Sequence, residues 1–505
     1  MQQPRDQTPG LMRSFLQRQA LFGYIHGRSM NSKAPIGDRF VEFLRRHRLR
    51  LVLLAVCALA GLLAFGLRNA VGPRFVALFG IIVFLSLIMA LSRNPSKIEW
   101  RTVAAGLFLQ VALALFVIKT EWGRELFLFL GAVVGKFLAF SDEGARFVFG
   151  VFVDEKTVEG VFGEGRGFVF AFRALPTIIF VSSFFTVMYY LGVLQAIVRA
   201  MARLMVKLMR TSGSESLSSA ANVFMGQTEA PLIIRPYLST LTRSELVAVM
   251  TGGFATISGA IMAVYIQLGA DATALLTTSV MAAPCSLMLA KILYPEEEAS
   301  MTRGVVKLEV GREDSNLIDA AVRGASDGTK LAINVAAMLI AFLALIALVD
   351  YLLAVVSWGD PSGTWFSIGG LHVGSPGAAA GADHLSLRRL FGWIFSPVSF
   401  LMGVRQGDVM DVASLLGTKL VANEFVAYLD LTGTAAPGLA HSSRIIATFA
   451  LCGFANFSSV GIQIGGIAAL VPERRHDLAV VGMRALLAGF MATVINATIA
   501  GVILG

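Results

Sequence analysis

Two glutamates stand where the surrounding sequence is small and apolar: Glu229 in GQTEAPLIIRP (226–236) and Glu424 in NEF (423–425). Gln227 and Thr228 precede the first, and Asn456 follows the second in GFANFS (453–458). A carboxylate inside a bilayer costs at least a few kcal/mol, so one placed there is paired or functional. Together these groups suit a neutral, hydroxyl-rich solute with a planar hydrogen-bonding edge. Carboxylates accept from vicinal hydroxyls, while an amide both donates and accepts. Helix ends exposed at breaks in the chain add free carbonyls that a monovalent cation can use. Plainer roles stay open for some of these residues: Glu229 pairing with Arg235 or capping its turn, Phe454 as core packing or as a face for a ring. A membrane-embedded hydrolase with the two glutamates as acid and base is disfavoured, because no nucleophile or metal set accompanies them.

The elements that must hold these residues follow from composition. The chain has 505 residues, of which 56% are hydrophobic and 15% charged, and a mean hydropathy of +0.71. A soluble domain carries roughly 25% charged residues, so this is an integral membrane protein. Its net charge of +9 collects in loops that membrane topology explains, and nucleic acid is not an expected partner. Cys57, Cys285 and Cys452 lie in apolar segments without disulfide or metal spacing. No apolar core precedes Leu51, so the first 50 residues do not form a signal peptide. GEGRG (163–167) lacks the βαβ surroundings of a phosphate-binding loop and reads as a turn.

The expected class is an all-α polytopic membrane protein with about nine transmembrane helices, near 51–67, 75–92, 102–118, 168–194, 244–268, 274–293, 330–354, 442–470 and 478–504. Basic FLRRHRLR (43–50) places the N-terminus in the cytoplasm. The loops 93–101, 199–210, 294–329 and 472–477 then fall inside, and 357–386, which has no Lys or Arg, falls outside. An odd number of spans leaves the C-terminus extracytoplasmic. Residues 125–141, interrupted by Lys136, read as an interfacial or packed segment. Residues 213–241 and 409–431 are apolar but broken by polar residues. The arm from Ser216 to Phe224 reaches only about 13 Å as helix, too short for roughly 30 Å of hydrocarbon. Both segments therefore read as re-entrant helical hairpins, tolerated where they line a cavity or are buried in protein.

GFATIS (253–258) recurs as GFANFS (453–458) with two differences, each inside an interrupted apolar segment and each preceded by a hairpin carrying a glutamate. On this topology the two hairpins enter from opposite sides, giving an inverted repeat with broken helices, a pattern of secondary transporters. Thr242 and Glu245 in LTRSEL read as a capping box opening the helix after the first hairpin.

GQTEAPLIIRPYL (226–238), NEFVAYLDL (423–431) and CGFANFSSVGIQIGG (452–466) resemble the signature segments of the concentrative nucleoside transporter family. The likeness extends to GFVFAFRALPTIIFVSSFF (167–185), SVMAAPCSLMLAKILYPEEE (279–298) and ERRHDLAVVGMRA (473–485), and covers roughly residues 75–505. The resemblance implies a homotrimer with scaffold and transport domains moving as an elevator, no enzymatic activity, no cofactor, and sodium as the coupling ion. It implies that Gln227, Thr228 and Glu229 address the base, that Glu424, Asn456 and Ser459 hold the ribose, and that Ile261 and Phe454 line the pocket. Sodium would be held by side chains of Asn222 and Thr256 and carbonyls of Met225 and Ile257. Met225 and Thr256 replace a Val and a Ser of close members, and both keep the oxygen concerned. The implied organisation is a basic cytoplasmic segment 1–50, largely scaffold spans 51–194, a first transport repeat 195–293, a cytoplasmic connection 294–329, a span with extracytoplasmic loop and interfacial helix 330–408, and a second repeat 409–505. The implied setting is a bacterial inner membrane, with uridine, cytidine or adenosine as substrate. Proton coupling and a passive channel are the competing transport readings.

Overall fold

The computed structural model describes residues 36–68, 70–163, 167–304, 314–354, 356–358, 364–368, 371–374, 383–433 and 438–504. Most of the basic N-terminal segment and the centre of GEGRG lie outside them, as do 305–313 and parts of 357–386. The N-terminal unit, Met1–Val52, is described from Ile36, where helix α1 (Ile36–Gly66) starts. The second unit, Leu53–Gly505, contains the rest of α1 and every other element.

The chain continues as α2 (Pro73–Ala90), α3 (Trp100–Lys119), α4 (Glu121–Phe149), α5 (Glu155–Phe162), α6 (Phe170–Tyr190) and α7 (Val193–Met209). The short α8 (Gly213–Ala221) and α9 (Ala230–Ile233) come next, followed by α10 (Arg243–Ala255), α11 (Gly259–Gln267), α12 (Ala272–Leu293) and α13 (Leu317–Leu353). The connection after α13 is not wholly irregular. Among its described residues it carries four short strands, β1 (Val356–Trp358), β2 (Thr364–Ile368), β3 (Leu371–Gly374) and β4 (Asp383–His384), in one antiparallel sheet of order β2-β3-β1-β4. The all-α expectation therefore holds for the apolar body and not for this connection. Helices α14 (Leu387–Leu401), α15 (Val409–Val421), α16 (Glu424–Thr432), α17 (His441–Leu451), α18 (Phe457–Leu470) and α19 (Arg475–Leu504) complete the fold.

Among the described residues, eight helices are long and apolar enough to cross a membrane, one fewer than the sequence suggested. The difference is 442–470, where the interruption read at GFANFS leaves α17 and α18 each too short to count, with extended backbone at Cys452 and Asn456 between them. Asn456 opens α18, its side-chain oxygen accepting from the Ser459 N–H at 2.9 Å.

Burial separates two classes of span. In Arg243–Gln267, 94% of the apolar window is buried, against 11% in Leu317–Leu353. The buried centre is α10 against α19, with α12, α17 and α18 also packed on α19. Its helices carry buried small residues, Gly482, Ala485, Ala488, Gly489 and Ala492 on α19 among them, which let backbones approach closely. The exposed span α13 lies along α6 through Ala320, Gly324, Gly328 and Ala332 and leaves Ile333, Ile340 and Leu348 outward. Exposed apolar side chains of that kind match a lipid or protein neighbour rather than water.

Candidate functional site

The first broken hairpin is anchored at its base. Ser212 and Glu215 form a capping box at the start of α8, with the Ser212 N–H donating to the Glu215 carboxylate at 2.7 Å. Lys291, near the end of α12, pairs with Glu215 at 2.8 Å and with Glu296 at 3.0 Å. Thr242 and Glu245 form the capping box read from the sequence, so the hairpin is held at entry and exit. Pro231 opens α9 and Pro236 opens the 3-10 turn Arg235–Thr240, positions where a missing N–H costs nothing. In the second hairpin Asn423 caps the Val426 N–H at 2.9 Å, which makes Glu424 the first residue of α16. Its carboxylate therefore sits at the positive end of a helix dipole.

The polar side chains of the two halves meet in one chain of hydrogen bonds. The Tyr265 hydroxyl on α11 donates to Glu424 Oε1 at 3.1 Å, and Asn456 Nδ2 donates to Glu424 Oε2 at 2.9 Å. Asn456 Oδ1 accepts from the Ser459 N–H and from the Ser458 hydroxyl at 2.7 Å. Gln227 Nε2 donates to Ser459 Oγ at 3.3 Å, and Gln463 Nε2 donates to Gln227 Oε1 at 3.1 Å. Both glutamate oxygens thus face donors. The Tyr265 ring is held by stacking on Tyr428 at 4.1 Å between centroids and by the edge of Phe425 at 5.6 Å. Lys419, fully buried on α15, donates to the Ala450 carbonyl at 2.7 Å and the Thr493 hydroxyl at 2.8 Å.

A second group of oxygens lies on α8 and at the break between α10 and α11. Asn222 closes α8, and its Nδ2 donates to the Ser218 carbonyl at 3.0 Å. Among the described residues its buried Oδ1 has no hydrogen-bond partner, and neither have the buried hydroxyls of Ser218 and Ser219. The Thr256 hydroxyl donates to the Gly252 carbonyl at 2.8 Å, so its lone pairs remain available. Unpaired buried oxygens on neutral side chains fit a monovalent cation better than any neutral ligand lacking donors.

The two breaks touch. The Phe454 N–H donates to the Thr256 carbonyl at 3.1 Å, and the Gly259 N–H donates to the Phe224 carbonyl of the first hairpin at 2.9 Å. Gly453 makes the crossing possible, since a Cβ there would stand 2.8 Å from the Phe254 carbonyl oxygen.

The structure brings together Gln227, Glu424, Asn456 and Ser459 from the substrate set read in the sequence. Ile261 is buried one turn before Tyr265, Phe454 is half-buried at the break, and Thr228 lies against Gly466 of α18. Glu229 is exposed, its carboxylate turned back over Gly226, outside the Glu424 network. Of the cation set, Asn222 and Thr256 are buried, Ile257 lies in the break of the α10–α11 span, and Met225 lies in the hairpin turn. Sequence reading missed Tyr265, Gln463 and Lys419. Tyr265 and Gln463 stand four residues after Ile261 and Ser459, one helical turn along the same faces. Lys419 is a charge in an apolar hairpin arm, the same signal that singled out Glu424.

Comparison with known proteins is consistent along the whole body of the chain. Residues 79–152 and 274–501 match the family descriptions "Na+ dependent nucleoside transporter" N-terminus and C-terminus, and 171–272 match "Nucleoside recognition". The chain is 42% identical over 446 residues to the mouse sodium/nucleoside cotransporter 1, covering 85% of this chain and 64% of that protein. It thus spans about two thirds of that relative's length. An uncharacterized transporter of Haemophilus influenzae is 38% identical, with 85% of this chain and 97% of that protein covered. A solved structure of CNTnw in an inward-facing substrate-bound state superposes with a TM-score of 0.76 at 38% identity, covering 85% of this chain and 99% of that one.

Proposed function

This chain belongs to the sodium-dependent nucleoside transporter family, and on that premise we propose that it imports nucleosides by symport with sodium. The observation that carries the reading is the hydrogen-bond chain joining Gln227 of the first hairpin to Glu424 of the second through Asn456 and Ser459. A carboxylate next to an amide serves the hydroxyls of a ribose, and the Gln227 amide serves a base. Glu424, Asn456 and Ser459 take the ribose. Gln227, Thr228 and Glu229 take the base, with Ile261 and Phe454 along its faces. Uridine, cytidine and adenosine are the substrates to try first.

Sodium is cargo here, carried with the substrate. Asn222, Thr256 and the carbonyls of Met225 and Ile257 hold it, a reading supported by the unpaired Asn222 oxygen and by the helix break at Thr256. The hydrogen bond from Phe454 to the Thr256 carbonyl gives the ion and the solute a shared element. By linkage, each ligand then tightens the other by the same factor.

The segments 213–241 and 409–431 act as re-entrant hairpins of an inverted repeat, supported by arms of 9 and 13 residues in α8 and α15 that are too short to span. They belong to a transport domain with the buried α10, α12 and α19, moving against a scaffold in residues 51–194 and 330–408. The exposed apolar flank of α13 supports burial against lipid or neighbouring subunits, and a homotrimer is the assembly proposed. Loop charge supports a cytoplasmic N-terminus and, with α17 and α18 together crossing as one interrupted span, an extracytoplasmic C-terminus; a bacterial inner membrane is the setting proposed.

Purified protein in proteoliposomes, given radiolabelled uridine and adenosine with and without an inward sodium gradient, tests the reading. Accumulation above the external concentration only with the gradient is expected; no accumulation of either nucleoside contradicts it.

A further inference from the structure

Gln463 sits on α18, 1% exposed, and touches both repeats. Its Nε2 donates to the Met250 carbonyl of α10 at 3.1 Å and to Gln227 Oε1 at 3.1 Å. A backbone carbonyl only accepts, so the Gln463 atom facing Met250 must be its nitrogen. That nitrogen also faces Gln227, so the Gln227 atom opposite must be its oxygen. The polarity of one main-chain group is thereby passed through two amides. A second main-chain group fixes the other end: the Ser459 N–H requires Asn456 to present Oδ1, which turns Asn456 Nδ2 toward Glu424. Only glycine permits the first relay, because a Cβ at Gly253 would stand 2.6 Å from Gln463 Nε2 and 2.9 Å from Gln227 Cβ.

We propose that Gln463 is a positioning residue that locks the Gln227 amide with its NH2 group free for the substrate, so that the base edge read there is a hydrogen-bond acceptor. This rests on the reading of Gln227 as the residue that faces the base. Gln227 Nε2 gives one hydrogen to Ser459 Oγ and keeps the second. In the hydrogen-bond chain Gln227 lies beyond Ser459 from Glu424, which holds the sugar end. The acceptor concerned is therefore on the base edge remote from the sugar, where a pyrimidine carries a 4-oxo group in uridine and a 4-amino group in cytidine.

A carboxylate in place of the Gln463 amide has no hydrogen to give to either carbonyl, so Gln463→Glu makes Gln227 turn its NH2 inward and its oxygen toward the base. The test is the ratio of KM values for uridine and cytidine in full-length protein in proteoliposomes, with 3′-deoxyuridine competition reporting on the sugar end. Gln463→Glu is expected to move the ratio toward cytidine by about tenfold, the effect of one buried group facing the wrong polarity. The affinity for 3′-deoxyuridine relative to uridine is expected to stay as in wild type. Gln463→Met, of similar length and without a donor, lets the amide rotate and moves the ratio the same way by a smaller factor; it also serves if the glutamate variant does not fold. A ratio within twofold of wild type in a variant that still transports overturns the positioning role while leaving the site reading intact. Wild-type protein that takes up neither nucleoside overturns the site reading, and this inference with it.

Discussion

The two helix breaks share a sequence pattern and differ in chemistry. At the α17–α18 break every polar end of Glu424 and Asn456 is matched, and Asn456 opens a helix. At the α10–α11 break Thr256 closes a helix, Ser258 opens the next by capping Ile261 at 3.4 Å, and the nearby Asn222, Ser218 and Ser219 oxygens go unpaired. Aligned positions of the repeat, Thr256 and Asn456, thus perform opposite capping roles. A matched network is preorganised for a solute that brings its own donors and acceptors. Unmatched oxygens are a cost that a cation offsets. On the proposed reading, one recurring motif serves two kinds of site.

Substitutions can break this division of labour. The largest effect is expected from Glu424→Gln, which removes a charge from the proposed ribose end. Loss of charged hydrogen bonds predicts a uridine KM about 100-fold higher, while sodium affinity measured without nucleoside stays near wild type. Equal losses of both would mean that the second break also serves the ion. Asn222→Leu removes the unpaired Oδ1 and should raise the half-saturating sodium concentration about tenfold, with uridine KM at saturating sodium little changed. Tyr265→Phe removes one neutral donor from Glu424 and should raise uridine KM about fivefold; sodium dependence read in the same assay should not move. Thr256→Ser sharpens the comparison from below. It keeps the hydroxyl on Gly252 and should leave sodium affinity within about twofold, so a large loss would assign the role to the Thr256 methyl.

Much of this was legible in the sequence because charge and amide groups are costly in apolar surroundings. Glu424, Gln227 and Asn456 stood out for that reason, and the GFATIS and GFANFS pair marked both breaks. The count of long helices falls from nine to eight because the break that GFANFS marks divides 442–470 into α17 and α18, with Cys452 closing the first and Asn456 opening the second. Tyr265 and Gln463 were hidden for a different reason. Each looks like an ordinary amphipathic residue on an apolar helix, and its role depends on a partner more than 150 residues away, Glu424 for one and Gln227 for the other. Glu229 was singled out on the same grounds as Glu424, yet in the structure it is exposed rather than bound into the network.

The central claim is that the two breaks form two coupled sites. Equilibrium binding of uridine with and without sodium, and of sodium with and without uridine, tests it on the same purified protein. The account predicts that each ligand tightens the other by one and the same factor, and that Asn222→Leu reduces that factor. Uridine binding equally well when choline replaces sodium would contradict it.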